Sequence, residues 1–237
     1  MRTFLLRCLL LLPAAAPAAD HTFIGYARDI GTGQLLYVET HAIRGGGTPA
    51  EERVVLYRRE ETSPPFARKW LRYADDRSRP SFEFADERSG YSESVERSGS
   101  DLRVRSRAGA QARERSALLR VSDVAVIDAG FDEFVRARWT ELQRGEALDA
   151  PFLVPSRLDA VKFRIRKVGE TRLDGSVVSQ IRLSLAGPLG WFVPDLDVSY
   201  RNADRRLVRY RGLTNIRDAD GRLLTAQIDF PDPAATR

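Results

Sequence analysis

Apolar and polar residues alternate with period two through most of the chain. Val161, Phe163 and Ile165 alternate with Lys162, Arg164 and Arg166. Val177, Ser179, Ile181, Leu183 and Leu185 alternate with Val178, Gln180, Arg182 and Ser184, and Leu196, Val198 and Tyr200 with Asp197, Ser199 and Arg201. In the last run Arg222, Leu224, Ala226, Ile228 and Phe230 share one face. Successive side chains of a strand point to opposite faces, so each run presents one mainly apolar and one mainly polar face. Similar runs occupy 22–30, 34–42, 52–59, 66–73, 81–86, 90–97, 101–107 and 116–121. Turn signals such as Gly31-Thr32-Gly33, Ser89-Gly90, Gly99-Ser100, Asp174-Gly175 and Asp220-Gly221 separate many of them. About eleven or twelve short strands joined by short turns predict antiparallel meanders. One wet and one dry face predict a mainly β fold: an antiparallel open (half) β-barrel or strongly curved sheet, not a buried parallel sheet.

One segment follows a different period. Phe131, Phe134, Val135, Trp139 and Leu142 trace a single helical stripe, which predicts one amphipathic helix near 131–144. Asp128 is the expected N-cap and Gly145 the expected C-cap. Burying the stripe on the concave side of the sheet makes residues 20–230 one domain. Residues 231–237 form a frayed tail in this reading.

The first nineteen residues differ from all that follow. Arg2 and Arg7 precede an apolar run from Cys8 to Ala19 with small residues near its end, the pattern of a secretory signal peptide. The run holds Pro13 and Pro17 and falls short of the roughly 20 residues a spanning helix needs, so no transmembrane segment is expected after cleavage. A periplasmic location follows. Cleavage removes Cys8 and lowers the net charge from +5 to +3, so the remaining chain folds without a disulfide. Its length suffices to bury a core unaided.

The residues for catalysis are scarce. With two histidines, His21 and His41, and no cysteine after cleavage, no metal site and no cofactor are expected. His41 sits at the end of the second strand run, and without a Gly-x-Ser-x-Gly elbow it reads first as an exposed strand-end histidine. A hydrolase built on His41 stays open only if the fold supplies a carboxylate and a hydroxyl. The stripes Arg103, Arg105, Arg107 and Lys162, Arg164, Arg166 could face phosphates, but interleaved acids predict cross-strand ion pairs, and no nucleic acid is expected as partner. Residues 187–194, Gly-Pro-Leu-Gly-Trp-Phe-Val-Pro, place large apolar side chains where a two-residue turn would suffice. They either plug an open end of the sheet or touch a ligand or partner. The candidate ligand-binding residues are Trp139, Trp191, Phe192 and Tyr200.

Several features resemble the LolA/LolB lipoprotein carriers and an uncharacterised bacterial family of periplasmic half-barrels. These are the leader, the hairpin Phe23–Ala42 with its Gly-Thr-Gly turn, the mid-chain helix followed by Gly145-Glu146-Ala147-Leu148, and the runs Phe163–Leu185 and Asp195–Tyr210. The resemblance implies an unclosed antiparallel barrel with helix in its concave side and a cavity for acyl chains. No binding residue of those carriers maps onto this sequence. The leading expectation is a non-catalytic exported protein that binds a hydrophobic or lipid-like small molecule. The alternatives are an envelope module that docks a protein partner, and the His41 hydrolase.

Overall fold

A computed structural model describes residues 19–186 and 195–232. The Trp191–Phe192 pair and most of the leader lie outside the described residues. The described chain forms one open sheet of fifteen strands. Strands β1 (His21–Asp29), β2 (Leu35–Arg44), β3 (Glu52–Arg58), β4 (Pro65–Arg72), β5 (Ser81–Asp86), β6 (Tyr91–Ser98), β7 (Asp101–Arg107) and β8 (Arg115–Arg120) make the first meander. After a short 3-10 turn, β9 (Val126–Ile127) and helices α1 (Gly130–Ala137) and α2 (Trp139–Gln143) lead to the second. It comprises β10 (Leu148–Val154), β11 (Asp159–Leu173), β12 (Ser176–Leu185), β13 (Leu196–Arg201), β14 (Leu207–Arg217) and β15 (Leu223–Asp229). The β1–β15 pair joins the meanders, and β8 and β9 end the sheet. All pairings are antiparallel except β9 with β10.

Connectivity forces the curvature. Fifteen flat strands spaced about 4.8 Å apart would span about 65 Å. The edges β8 and β9 are nevertheless consecutive in the chain, and the link from Arg120 to Val126 reaches about 20 Å at most. The sheet therefore curls until its ends approach. The loop between β4 and β5 holds this link and β9: Ile127 N donates to Ser78 O at 3.0 Å. The Arg79 guanidinium donates to the carbonyls of Val121 at 2.9 Å and Val124 at 3.1 Å.

The curved sheet and its concave helix agree with the sequence expectation. Three strands escaped the alternation. β9 has only two residues, β10 carries Pro151 within an apolar run, and the alternation of β14 breaks at a register shift between Leu213 and Arg217. The single predicted helix is two short segments interrupted at Arg138, whose backbone leaves the helical basin at φ −101 and ψ 19. The stripe still works as read. Val135, Trp139 and Leu142 are buried against Ala150, Ile165, Ile181, Leu183, Val198 and Tyr200. Gly145 takes the left-handed position after α2 at φ 83.

Asp128 does not cap the helix. The residue before α1 is Ala129, which makes no side-chain cap bond. The Asp128 carboxylate instead accepts two bonds from Lys69 Nζ at 2.8 Å and one from Asn215 Nδ2 at 3.1 Å. A buried ammonium without a carboxylate costs several kcal/mol, roughly, far more than a cap supplies. Gly130 then opens α1 against the 78–80 turn, where an added Cβ would fall 2.1 Å from Ser78 O.

Candidate ligand cavity

Strand alternation selects what faces inward. On β2 the concave positions are Tyr37, Glu39, His41 and Ile43; on β3 they are Arg53, Val55 and Tyr57; on β4, Lys69 and Leu71; on β6, Tyr91 and Glu93. The facing wall brings Phe152, Phe163, Leu183, Leu196, Leu207 and Tyr210. Between them lies a cavity of about 550 Å³, with Phe131, Asp132 and Arg136 of α1 on its side.

Three polar clusters interrupt the apolar lining. In the first, His41 Nε2 lies 3.0 Å from Glu39 Oε1. A carboxylate only accepts, so Nε2 carries the proton, and Nδ1 makes no hydrogen bond among the described residues. The imidazole stacks on Phe23 with ring centroids 4.3 Å apart and meets the edge of Phe230. Burial lowers its pKa, outweighing the Glu39 contact, and keeps the ring neutral at pH 7. His41 is therefore not the exposed strand-end residue of the sequence reading. It sits within β2, its side chain 12% exposed, because its pleat position faces the concave side.

The second cluster is the Lys69–Asp128–Asn215 group, which ties the first meander to both the helix and β14. The third is Glu93, which accepts the Tyr91 hydroxyl and whose pKa burial raises. Ion pairs extend from the lining residues Arg53, Asp132 and Arg136. Arg77 bridges Glu51 at 2.6 Å and Glu133 at 3.0 Å, Arg53 meets Glu51 at 3.1 Å, and Arg136 meets Asp132 at 2.6 Å. The Tyr73 ring lies between the Arg53 and Arg77 guanidiniums, and burial raises its hydroxyl pKa.

The sequence-derived candidates fall elsewhere. Trp139 and Tyr200 do meet, with ring centroids 6.1 Å apart in an edge contact. They meet in the filled core beneath the helix, 8% and 0% exposed, and not among the cavity-lining residues. Trp191 and Phe192 lie outside the described residues. The residues that do line the polar part of the cavity carry a signal readable in the sequence. Glu39, Lys69 and Glu93 occupy the apolar phase of their strands, between Tyr37 and His41, Ala67 and Leu71, and Tyr91 and Val95. A charge in that phase faces the core side and needs a partner or a purpose.

For acyl-transfer chemistry at His41 the fold supplies the carboxylate but no hydroxyl: no hydroxyl bonds the imidazole among the described residues. Nor do these residues bring three His, Cys, Asp or Glu side chains together in a way that could hold a metal ion. No helix among them is long and apolar enough to cross a membrane. Of the two basic stripes, Arg164 pairs across strands with Asp149 at 2.9 Å and Arg105 meets Glu114 at 4.0 Å, while Arg166 stands opposite Arg182. Outside the stripes, Arg182 pairs with Asp197 at 2.7 Å and Arg120 with Asp101 at 3.1 Å. Comparison with protein-family models, with curated proteins and with solved structures finds no match to this chain.

Proposed function

We propose that the protein is an exported periplasmic carrier, non-catalytic and similar in role to the LolA/LolB type, that holds a hydrophobic or lipid-like small molecule inside its curved sheet. One observation carries this reading: the helix fills only part of the concave side and leaves about 550 Å³ open. Ligand pockets start at roughly 300 Å³, and most pair apolar walls with a few fixed polar groups. Phe152, Phe163, Leu183, Leu196 and Leu207 supply such walls; Glu39, His41 and Lys69 supply such groups. The leader at residues 1–19 supports export.

Native mass spectrometry of the protein released from the envelope without detergent tests the proposal. The expected spectrum contains a population heavier than the polypeptide by the mass of one lipid-like molecule. A spectrum of bare polypeptide alone contradicts it.

A second reading, docking to an envelope protein, rests on β8. This strand ends the sheet, and its Leu118 is 66% exposed beside Arg115 and Arg120. An unpaired strand edge can accept an added strand. Photo-crosslinking from position 118 in cells distinguishes the two: a discrete protein adduct favours docking, and its absence leaves the carrier.

A further inference from the structure

The charges that line the cavity are not all balanced. Lys69 pairs with Asp128 at 2.8 Å, Arg136 with Asp132 at 2.6 Å, Arg53 with Glu51 at 3.1 Å and Asp204 with Arg201 at 2.6 Å; Arg206 pairs with Asp232. Among the described residues, Glu39 and Glu93 are the lining carboxylates without a lysine or arginine ion pair. They are 6% and 7% exposed. A carboxylate removed from water to that degree costs several kcal/mol, roughly, unless a cation or a proton compensates it.

The two differ in how they are served. The Tyr91 hydroxyl donates to Glu93, and burial raises the Glu93 pKa, so a proton is the natural compensation there. Among the described residues, the hydrogen-bond partner of Glu39 is the neutral His41. Around it stand aromatic rings. Tyr37 and Tyr57 meet edge to face at 5.9 Å, and Phe23 and Phe230 enclose His41. Tyr37, Tyr57 and Tyr210 line the same cavity as Glu39, with Tyr37 two residues before it on β2 and Tyr57 opposite it on β3. Opposite Glu39 on β1 stands Gly25, where a Cβ would fall 2.8 Å from Glu39 Cγ and 2.6 Å from the Phe230 ring. The missing side chain leaves room for the carboxylate and the ring together.

A lone buried carboxylate among aromatic rings is the chemistry that recognises an ammonium group, through ion pairing and attraction to ring faces. We infer that the cavity takes an amphiphilic amine. Its cationic head sits at Glu39 among Tyr37, Tyr57 and Tyr210, and its chain runs along Phe152, Phe163 and Leu196. The inference rests on the carrier reading, since it assigns the head group of the ligand that reading places in the cavity.

Isothermal titration calorimetry with three ligands of one chain length, below their micelle-forming concentrations, separates the two ideas. Decyltrimethylammonium is expected to bind wild-type protein at least about tenfold more tightly than decanoate, about the contribution of one desolvated cation–aromatic contact. Decanol should bind between them. Glu39→Gln should cut the cation preference to under about threefold. Decanoate binding as well as the ammonium, or a preference that survives Glu39→Gln, overturns the head-group assignment. If decanol binds without any charge preference, the carrier reading stands and only the amine falls; if none of the three binds, both fall. The wild-type comparison decides the assignment even if the variant does not fold.

Discussion

At one end of the concave face of β10–β13, Ile165, Ile181, Val198 and Tyr200 meet Val135, Trp139 and Leu142 of the helical segments and form a filled core; at its other end Phe152, Phe163 and Leu196 face the cavity. On the same face of β2–β6, Glu39, His41, Lys69 and Glu93 stand among Tyr37, Val55, Leu71 and Phe82 and look into space. Both halves are antiparallel meanders with the same alternation. The second covers part of its dry face with the helical segments and leaves the rest apolar; the first keeps charges on its open part. A chain that can bury an apolar face does not place charged residues there without partners or a use for them. The difference therefore separates a region built for stability from one with room for a guest.

The largest effect is expected where the two regions are tied. Lys69→Met leaves the Asp128 carboxylate buried beside Asn215 without its cation, and should cost about 4 kcal/mol of unfolding free energy. Chemical denaturation measures it. Combining Lys69→Met with Asp128→Asn should recover part of the loss, since an amide tolerates burial better than an unpaired charge. Trp139→Ala, in the filled half, should cost about 3 kcal/mol through the cavity it opens. Provided the variant folds, its ligand affinity should not change, because Trp139 is not among the residues that line the open cavity.

The pH response sharpens the contrast. The folded pKa of His41 is held below that of the unfolded chain, chiefly by burial. The unfolded state therefore takes up the proton first. His41 contributes stability fully above its unfolded value, about 6.5, and loses that contribution as pH falls toward the lower folded value. Glu93 and Asp132, whose pKa values burial raises, act in the opposite sense: their contribution is present in acid and lost as pH rises through their folded values. The difference between wild type and His41→Gln isolates the imidazole. Denaturation at pH 5 and pH 7 should show wild type losing more stability on acidification than the variant. An equal loss in both would place the His41 titration in water. The smallest effect belongs to the outer edge, where Leu118→Glu should change stability by less than about 0.5 kcal/mol.

Most of the architecture was legible from alternation, because a strand with one dry face has to show it residue by residue. The helix was legible from the stripe Phe131 to Leu142. The break at Arg138 was not, since no proline or glycine marks it. β10 was hidden by Pro151, and β9 is too short to carry a period. The site was legible in part. Large aromatics drew attention to Trp139 and Tyr200, and those residues did what buried aromatics most often do, which is fill a core. The informative residues were less conspicuous. Glu39, His41, Lys69 and Glu93 interrupt the apolar phase of their strands; Glu39 pairs with His41 and Glu93 with Tyr91 two residues away, but Lys69 finds Asp128 59 residues away. Pairing at that range is set by how the sheet curls, and local pattern does not encode it.

The central claim, that the concave side holds a guest, is tested most directly by a fluorescence titration with N-phenyl-naphthylamine, a neutral apolar dye. Wild-type protein should bind one dye saturably, with a blue shift of its emission. Leu207→Trp, which adds bulk to the cavity wall, should remain folded by circular dichroism and bind far more weakly. Absence of saturable binding to wild type, or undiminished binding to the folded variant, would contradict the claim.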